Sequence, residues 1–139
     1  MIWIIVIGII VFLLIRFFSA FEKDNSDLRD QLLTEKFEII VNTINNAVFY
    51  GGGIVKVYDK REFYLYKMGE NQIINFQYGT GHLTITWKFK YFQKEIVHQR
   101  QFNDVRNLSV FDQQKIAMQM INEMKVVVEN HKVEILESI

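Results

Sequence analysis

The chain lacks cysteine and proline altogether, and its formal net charge is zero. Without cysteine it cannot form disulfides, thiolate zinc sites or iron–sulfur clusters, and it cannot use thiol catalysis. Without proline it has no proline-rich linker or recognition segment. Its sixteen basic residues are balanced by sixteen acidic ones. This balance argues against a general nucleic-acid binder, because such proteins gain affinity from a basic surface that neutralises phosphates.

Local catalytic and metal-binding motifs are also missing from the sequence. The three histidines, His82, His98 and His131, are too widely spaced for a local metal motif. No serine lies in a Gly-x-Ser-x-Gly elbow. The glycines at 51–53 follow a predicted helix and precede a predicted strand, which favours a helix C-cap over a phosphate-binding loop. We therefore expect no metal, cofactor or catalytic site, and the alternative is a small enzyme that uses scattered His, Asp and Glu residues.

A long apolar run opens the chain. Fourteen of the first eighteen residues are Ile, Val, Leu or Phe, and Arg16 is the one charged residue among them. As a helix this run would span about 27 Å, close to the hydrocarbon thickness of about 30 Å. We expect residues 1–18 to form a transmembrane anchor, with Trp3 and Arg16 at its interfaces. A cleaved signal peptide is disfavoured because no basic residue precedes the run, and a buried core helix because it would need a larger protein around it.

Basic residues follow the apolar run and none precedes it. Arg16, Lys23, Arg29 and Lys36 lie within about twenty residues of the run or in it. The positive-inside rule then places the rest of the chain in the cytoplasm. The sequence therefore predicts a single-pass membrane protein, in the inner membrane if it is bacterial, with residues 19–26 as a polar neck and the lipid bilayer as one partner.

Residues 27–139 carry the patterns of one α+β domain. Ser26 is the expected N-cap of an amphipathic helix that runs to about residue 48. After it the apolar period changes to two, as in strands. The predicted strands cover 54–58, 62–68, 72–78, 82–91 and 95–102. Because their connections are short, we expect them to pair as an antiparallel meander.

A second amphipathic helix is predicted after the strands. Ser109 and Asp112 resemble a capping box at its start. Residues 131–139 fit either an extension of this helix or a further short strand. The predicted fold is therefore a transmembrane helix followed by a two-layer α+β domain, in which two amphipathic helices flank a five-stranded sheet.

The polar face of the predicted sheet is the best candidate for a binding surface. Strand alternation leads us to expect a basic and aromatic group there, made of Lys56, Tyr58, Lys88, Lys90, His98 and Arg100. Such a group suits a protein partner, and the alternatives are lipid headgroups, single-stranded nucleic acid or an ordinary solvated face. The balanced charge makes nucleic acid the weaker alternative. A small-molecule ligand is left open.

The layout of an amino-terminal anchor and a compact domain resembles small membrane-tethered bacterial proteins, including immunity and accessory subunits. No residue motif ties the chain to one family. We expect a non-enzymatic binding or assembly module that holds a protein partner at the membrane, because tethering raises the effective concentration of the two proteins.

Overall fold

The computed structural model describes residues 1–29 and 32–138, with the side chains of residues 1–18 and 32–137. In chain order the elements are α1 (Ile2–Arg29), α2 (Leu33–Lys36), α3 (Glu38–Phe49), β1 (Ile54–Asp59), β2 (Glu62–Tyr66), β3 (Gln72–Gly79), β4 (His82–Tyr91), β5 (Lys94–Phe102) and α4 (Val110–Ser138). The strands form one antiparallel sheet in the order β1-β2-β3-β4-β5. The predicted α+β class and the five-stranded meander are therefore confirmed.

The sheet and the helices after α1 form two layers around one core. In β4, Leu83, Ile85 and Trp87 are buried, while Lys88 and Lys90 are exposed. This alternation lets one face of the sheet pack against α3 and α4. Phe37, between α2 and α3, packs against this face. The helices contribute apolar stripes that meet it, through Ile40, Val41, Ile44, Phe49, Ile116, Ala117, Met120 and Met124.

The first predicted amphipathic helix begins and ends differently in the structure. Ser26 lies inside α1, so its predicted role as an N-cap is wrong. The predicted helix also spans positions 30 and 31, which lie outside the described residues. Farther on, Phe37 leaves the helical region with φ −110° and ψ 25° and separates α2 from α3. The left-handed residue that ends α3 is Tyr50, with φ 52°, so the C-cap precedes the three glycines.

The second predicted amphipathic helix is confirmed as α4. The backbone N–H of Asp112 donates to the Ser109 side-chain oxygen at 3.1 Å, which satisfies one of the free amides of the first turn. The helix continues through position 138. Of the two alternatives for the described part of 131–139, helix is therefore the correct one.

The predicted transmembrane anchor is wrong. Among the described residues, no helix is long and apolar enough to cross a membrane. Arg16 ends the uncharged part of α1 at Ile15, and at about 1.5 Å per residue that part reaches about 21 Å, short of the hydrocarbon thickness of about 30 Å. The helix then continues through a charged sequence to Arg29.

The predictions that depended on this anchor are corrected with it. They are the single-pass signal anchor, the membrane localisation, the cytoplasmic orientation and the interfacial roles of Trp3 and Arg16. Both side chains are exposed, and the guanidinium carbon of Arg16 lies 5.8 Å from the ring centre of Phe12. The predicted polar neck, residues 19–26, is a continuous part of α1.

Candidate interaction surface

Among the residues whose side chains the structure describes, the helix layer stops short of β1 and leaves this edge strand uncovered. Val55 pairs with Leu65 and Val57 pairs with Phe63, so both valines lie on the face of the sheet that the helices cover elsewhere. Leu65 and Phe63 are 0% exposed, whereas Val55 and Val57 are 39% and 59% exposed. The same face of the sheet is thus fully buried at β2 and exposed at the neighbouring strand β1.

The widths of the two layers explain why β1 is uncovered. Five strands at a spacing of about 4.8 Å make a sheet about 24 Å wide. Two helices of about 10 Å each cover about 20 Å, or roughly four strands. Helix α4 contacts β4 and β5, and the short α2 contacts β2. The helix layer is therefore too narrow to cover β1 as well.

A groove runs between β1 and the helices, and we call it the β1 groove. It consists of two adjoining cavities of about 300 and 780 Å³ that share Thr34 and Val57. The smaller cavity is lined by Leu32, Leu33, Thr34, Val57, Asp59, Lys60 and Phe63, and the larger by Thr34, Glu35, Glu38, Val41, Asn42, Val55 and Val57. The lining of the smaller cavity is mainly apolar, and that of the larger cavity is mixed, with three valines among polar residues.

The charges around the β1 groove are mainly negative. Glu35, Glu38 and Asp59 line it, and Lys60 is the one basic residue in either lining. Both glutamates are exposed. A partner that enters the groove therefore meets apolar side chains at the floor and carboxylates at the rim.

The opposite side of β1 belongs to what we call the outer face, the face of the sheet turned away from α3 and α4. Lys56 pairs with Tyr64, and Ile54 pairs with Tyr66, so these residues lie on the outer face together. A cavity of about 400 Å³ is lined there by Lys56, Tyr58, Tyr64, Tyr66 and Ile73, and we call these five residues the tyrosine cluster. The structure thus brings together Lys56 and Tyr58 of the predicted binding surface and adds two tyrosines to them.

Glu62 organises the outer face next to the tyrosine cluster. Its Oε1 accepts hydrogen bonds from Tyr64 Oη at 3.2 Å, Asn75 Nδ2 at 2.9 Å and Gln77 Nε2 at 3.2 Å. Partial removal from water, followed by the charge of Glu62 and its hydrogen bond, raises the pKa of Tyr64 above its ordinary value. The Tyr64 hydroxyl serves as the hydrogen-bond donor in this contact.

Lys88 and Lys90 lie farther along the outer face, beside acidic residues. Lys88 pairs with Val97 and Lys90 pairs with Glu95. Both lysines line a cavity of about 580 Å³ that also contains Glu70 and Glu95. Acidic side chains therefore lie close to both lysines, and this part of the outer face is not purely basic.

His98 and Arg100 lie on the other face of the sheet. Trp87 pairs with His98, and Ile85 pairs with Arg100, which turns both β5 side chains toward α4. There His98 Nε2 lies 3.1 Å and Arg100 Nη1 lies 3.0 Å from Glu123 Oε1. The two residues fasten α4 to β5 and are separated from the other four members of the predicted surface.

The turn between β4 and β5 explains this separation. Tyr91 pairs with Lys94, so Phe92 and Gln93 form a two-residue turn with φ 50° and 64°. With an even number of turn residues, even-numbered positions of β4 face the same side as odd-numbered positions of β5. The sequence contained this signal, because any two-residue turn here turns His98 away from Lys88.

The histidines do not form a common site. His82 begins β4 on the outer face, His98 lies on the helix side, and His131 Nε2 lies 3.1 Å from the carbonyl oxygen of Lys94. Within the part of the chain that the structure describes, no group of three or more His, Asp and Glu side chains is placed to hold a metal ion.

Comparisons with known proteins do not identify a relative. No family model matches the chain, and neither the curated proteins nor the solved structures contain a match. The function must therefore be inferred from the surface itself.

Proposed function

We propose that the chain is a non-enzymatic protein-binding module whose contact surface is β1 with the groove and the tyrosine cluster on its two sides. The observation that carries this proposal is the exposure of Val55 and Val57 beside their buried partners Leu65 and Phe63. An uncovered apolar edge strand is a ready template for pairing with another chain, and most proteins protect such edges. A partner at this edge would remove the valines from water.

The tyrosine cluster supports the same surface from the outer face. Tyrosine offers a large contact area and a hydrogen-bonding hydroxyl, and it is enriched among the residues that dominate binding energy. Tyr58 is exposed, and Tyr64 and Tyr66 are half-buried. A protein that covers the β1 edge would contact apolar side chains on one side and these phenols on the other.

Helix α1 gives further support for a role in binding. All its described side chains are exposed, and nearly all of them are apolar. A contiguous apolar surface of this kind marks a site of contact with another apolar surface. The membrane tether that we expected from the sequence is not part of the proposal, because no helix among the described residues is long and apolar enough to cross a membrane.

Single-stranded nucleic acid on the outer face is the second candidate. The aromatic rings and Lys56 of the tyrosine cluster, with Lys88 nearby, favour it, since bases stack on aromatic side chains in basic grooves. The carboxylates of Glu62 and Glu70 and the balanced net charge oppose it. The exposed valines on the other side of β1 are explained by a protein partner and not by a nucleic acid.

Site-specific crosslinking tests the proposed function. A photoreactive phenylalanine analogue replaces Val57 in one variant of the full chain and Val97 in a matched control, since Val97 is a strand valine of similar exposure (50%) at the opposite edge of the sheet. After irradiation of the cells that naturally produce the protein, we expect a discrete protein adduct at position 57 and none at position 97. Equal adducts at both positions, or none at position 57, would contradict the proposal.

A further inference from the structure

We infer that the partner contributes an extended segment that adds a strand to the free edge of β1. On the face of this strand that is turned toward the helices, apolar and basic side chains alternate. This inference rests on the proposed function and specifies the partner's chemistry. It follows from three properties of the β1 edge: its backbone, its groove and its charge.

The backbone of β1 has room for one more strand. β1 (Ile54–Asp59) pairs with β2 along one edge. Among the described residues no second strand lies beyond it, and the recorded backbone hydrogen bonds outside regular elements do not involve its six residues. Within the described part of the chain, the outward N–H and C=O groups are therefore available. Main-chain hydrogen bonds of this kind provide much of the affinity in β-strand addition.

The β1 groove determines which side chains an added strand would bury. Side chains of a strand alternate between the two faces of the sheet. Every second side chain of the added strand would therefore enter the β1 groove next to Val55 and Val57. The others would lie next to Tyr58 on the outer face. The larger cavity, about 780 Å³, has room for several side chains of moderate size.

The charge of the groove selects basic residues among those side chains. Glu35 and Glu38 lie at the rim of the same cavity as the two valines. A basic side chain with an apolar stem would cover Val55 or Val57 with its methylene groups and bring its charge to the carboxylates. An acidic side chain at the same position would be repelled.

The same charges argue against a second copy of this chain as the occupant. Antiparallel pairing of β1 with its own copy, about a two-fold axis perpendicular to the sheet, places the two helix layers on the same side of the joined sheet. Glu35 and Glu38 of both copies would then approach each other without a basic residue between them except Lys60. Like charges that face each other across a joint are destabilising.

A designed peptide tests the inference with the full-length protein. The probe is a fluorescent peptide as long as β1. Every second residue is Thr, and the residues between them, which share the other face of the strand, are alternately Val and Lys. The matched control peptide has Glu in place of each Lys. By fluorescence anisotropy we expect the Lys peptide to bind at least about tenfold more tightly than the Glu peptide, which corresponds to about 1.4 kcal/mol.

The double variant Glu35→Lys with Glu38→Lys should reverse this preference, because the rim of the groove changes sign. Both positions are exposed, but both glutamates lie in the first turn of a helix, where lysine is less favourable. We therefore expect a folded protein with a slightly lower melting temperature. Equal binding of the two peptides by the parent protein, or an unchanged preference in a folded double variant, would overturn the inference.

Backbone methylation of the Lys peptide distinguishes an added strand from a contact through side chains alone. Methyl groups on one set of alternate amides should abolish binding, because those amides face β1, whereas methyl groups on the other set should be tolerated. The same loss from both sets would overturn the inference. A dimer of the protein that dissociates in the Val57→Lys variant would also overturn it in favour of a second copy.

The two levels of the proposal fail separately. A crosslinked protein at position 57 together with no preference between the peptides would leave the binding function in place and remove the added strand. No adduct at position 57 would contradict the binding function whatever the peptides do.

Discussion

At the β5 edge of the sheet, helix α4 lies over the outermost strand and holds it, whereas at the β1 edge the helices stop one strand short. Glu123 of α4 contacts His98 and Arg100 of β5, and His131 contacts the backbone of Lys94. Within the described residues, no hydrogen bond or ion pair is recorded between β1 and a helix. The same sheet is therefore closed at one end and open at the other.

The residues of the two edge strands differ in the same direction. β5 exposes charged and amide side chains, among them Glu95, Gln99 and Gln101, which discourage pairing with another chain. β1 exposes all six of its residues, and most are β-branched or aromatic. The difference shows that an edge strand with few charged or amide side chains is a candidate for pairing with another chain. β5 carries more of the usual protective residues than β1, in which only Lys56, Asp59 and the irregular register after Val57 oppose pairing.

The largest effect should come from comparing Phe63→Ala with Val57→Ala, two residues that pair across β1 and β2. Phe63 is fully buried and stacks on Phe76 with ring centres 4.6 Å apart. Its truncation should lower the free energy of unfolding by about 3–5 kcal/mol. Val57→Ala should cost less than about 1 kcal/mol, because that valine already faces water. Urea denaturation of both variants measures the difference, and a similar cost for the two would show that β1 belongs to the core.

A smaller effect is expected from Gly53→Ala, which disturbs the entry to β1. A Cβ at this position would lie 2.5 Å from Asn45 Oδ1 and 2.9 Å from Leu65 Cδ1. The Gly53 amide also donates to Asn45 Oδ1 at 2.8 Å, so the chain is held close to α3. We expect a loss of about 1–3 kcal/mol, as for overpacked cores.

Gly52→Ala is the matched control for that substitution. Its Cβ would lie 3.3 Å from the Phe49 carbonyl oxygen and 3.4 Å from the flexible end of Lys67, which can move aside. Thermal unfolding should therefore separate the two neighbouring alanine variants. Equal melting temperatures would mean that the close approach at position 53 does not set the position of β1.

Much of the fold could be predicted because local patterns decide it. Alternation in β4 placed Leu83, Ile85 and Trp87 in the core, and the Ser109 cap marked the start of α4. The cap predicted at Ser26 failed because the preceding helix continues through it, and a cap signal competes with helix propagation from a long apolar segment. Local rules such as alternation and capping predict single helices and strands well. They do not predict where one helix continues into the next segment.

The candidate surface could be predicted only in part. Lys56 and Tyr58 were found by alternation, and the separation of His98 from Lys88 follows from a two-residue turn. The exposure of Val55 and Val57 could not be found in this way. The alternating pattern of β1 is the same as that of a strand with one buried face. Whether helices cover that face depends on how many strands two helices can span, which local sequence does not encode.

The smallest effect concerns the closed edge, where Glu123 joins α4 to β5. Glu123→Gln keeps the size of the side chain and removes the charge that attracts Arg100, whose side chain is 46% exposed. Because water screens this pair, we expect a loss of about 0.5–1 kcal/mol in low salt, shrinking at high ionic strength. Glu129→Gln is the control, since Glu129 is exposed on the same helix and has no ion-pair partner in the described part of the chain. Chemical denaturation at two salt concentrations compares the variants. An equal, salt-independent loss for both would mean that apolar packing of α4, and not this contact, closes the β5 edge.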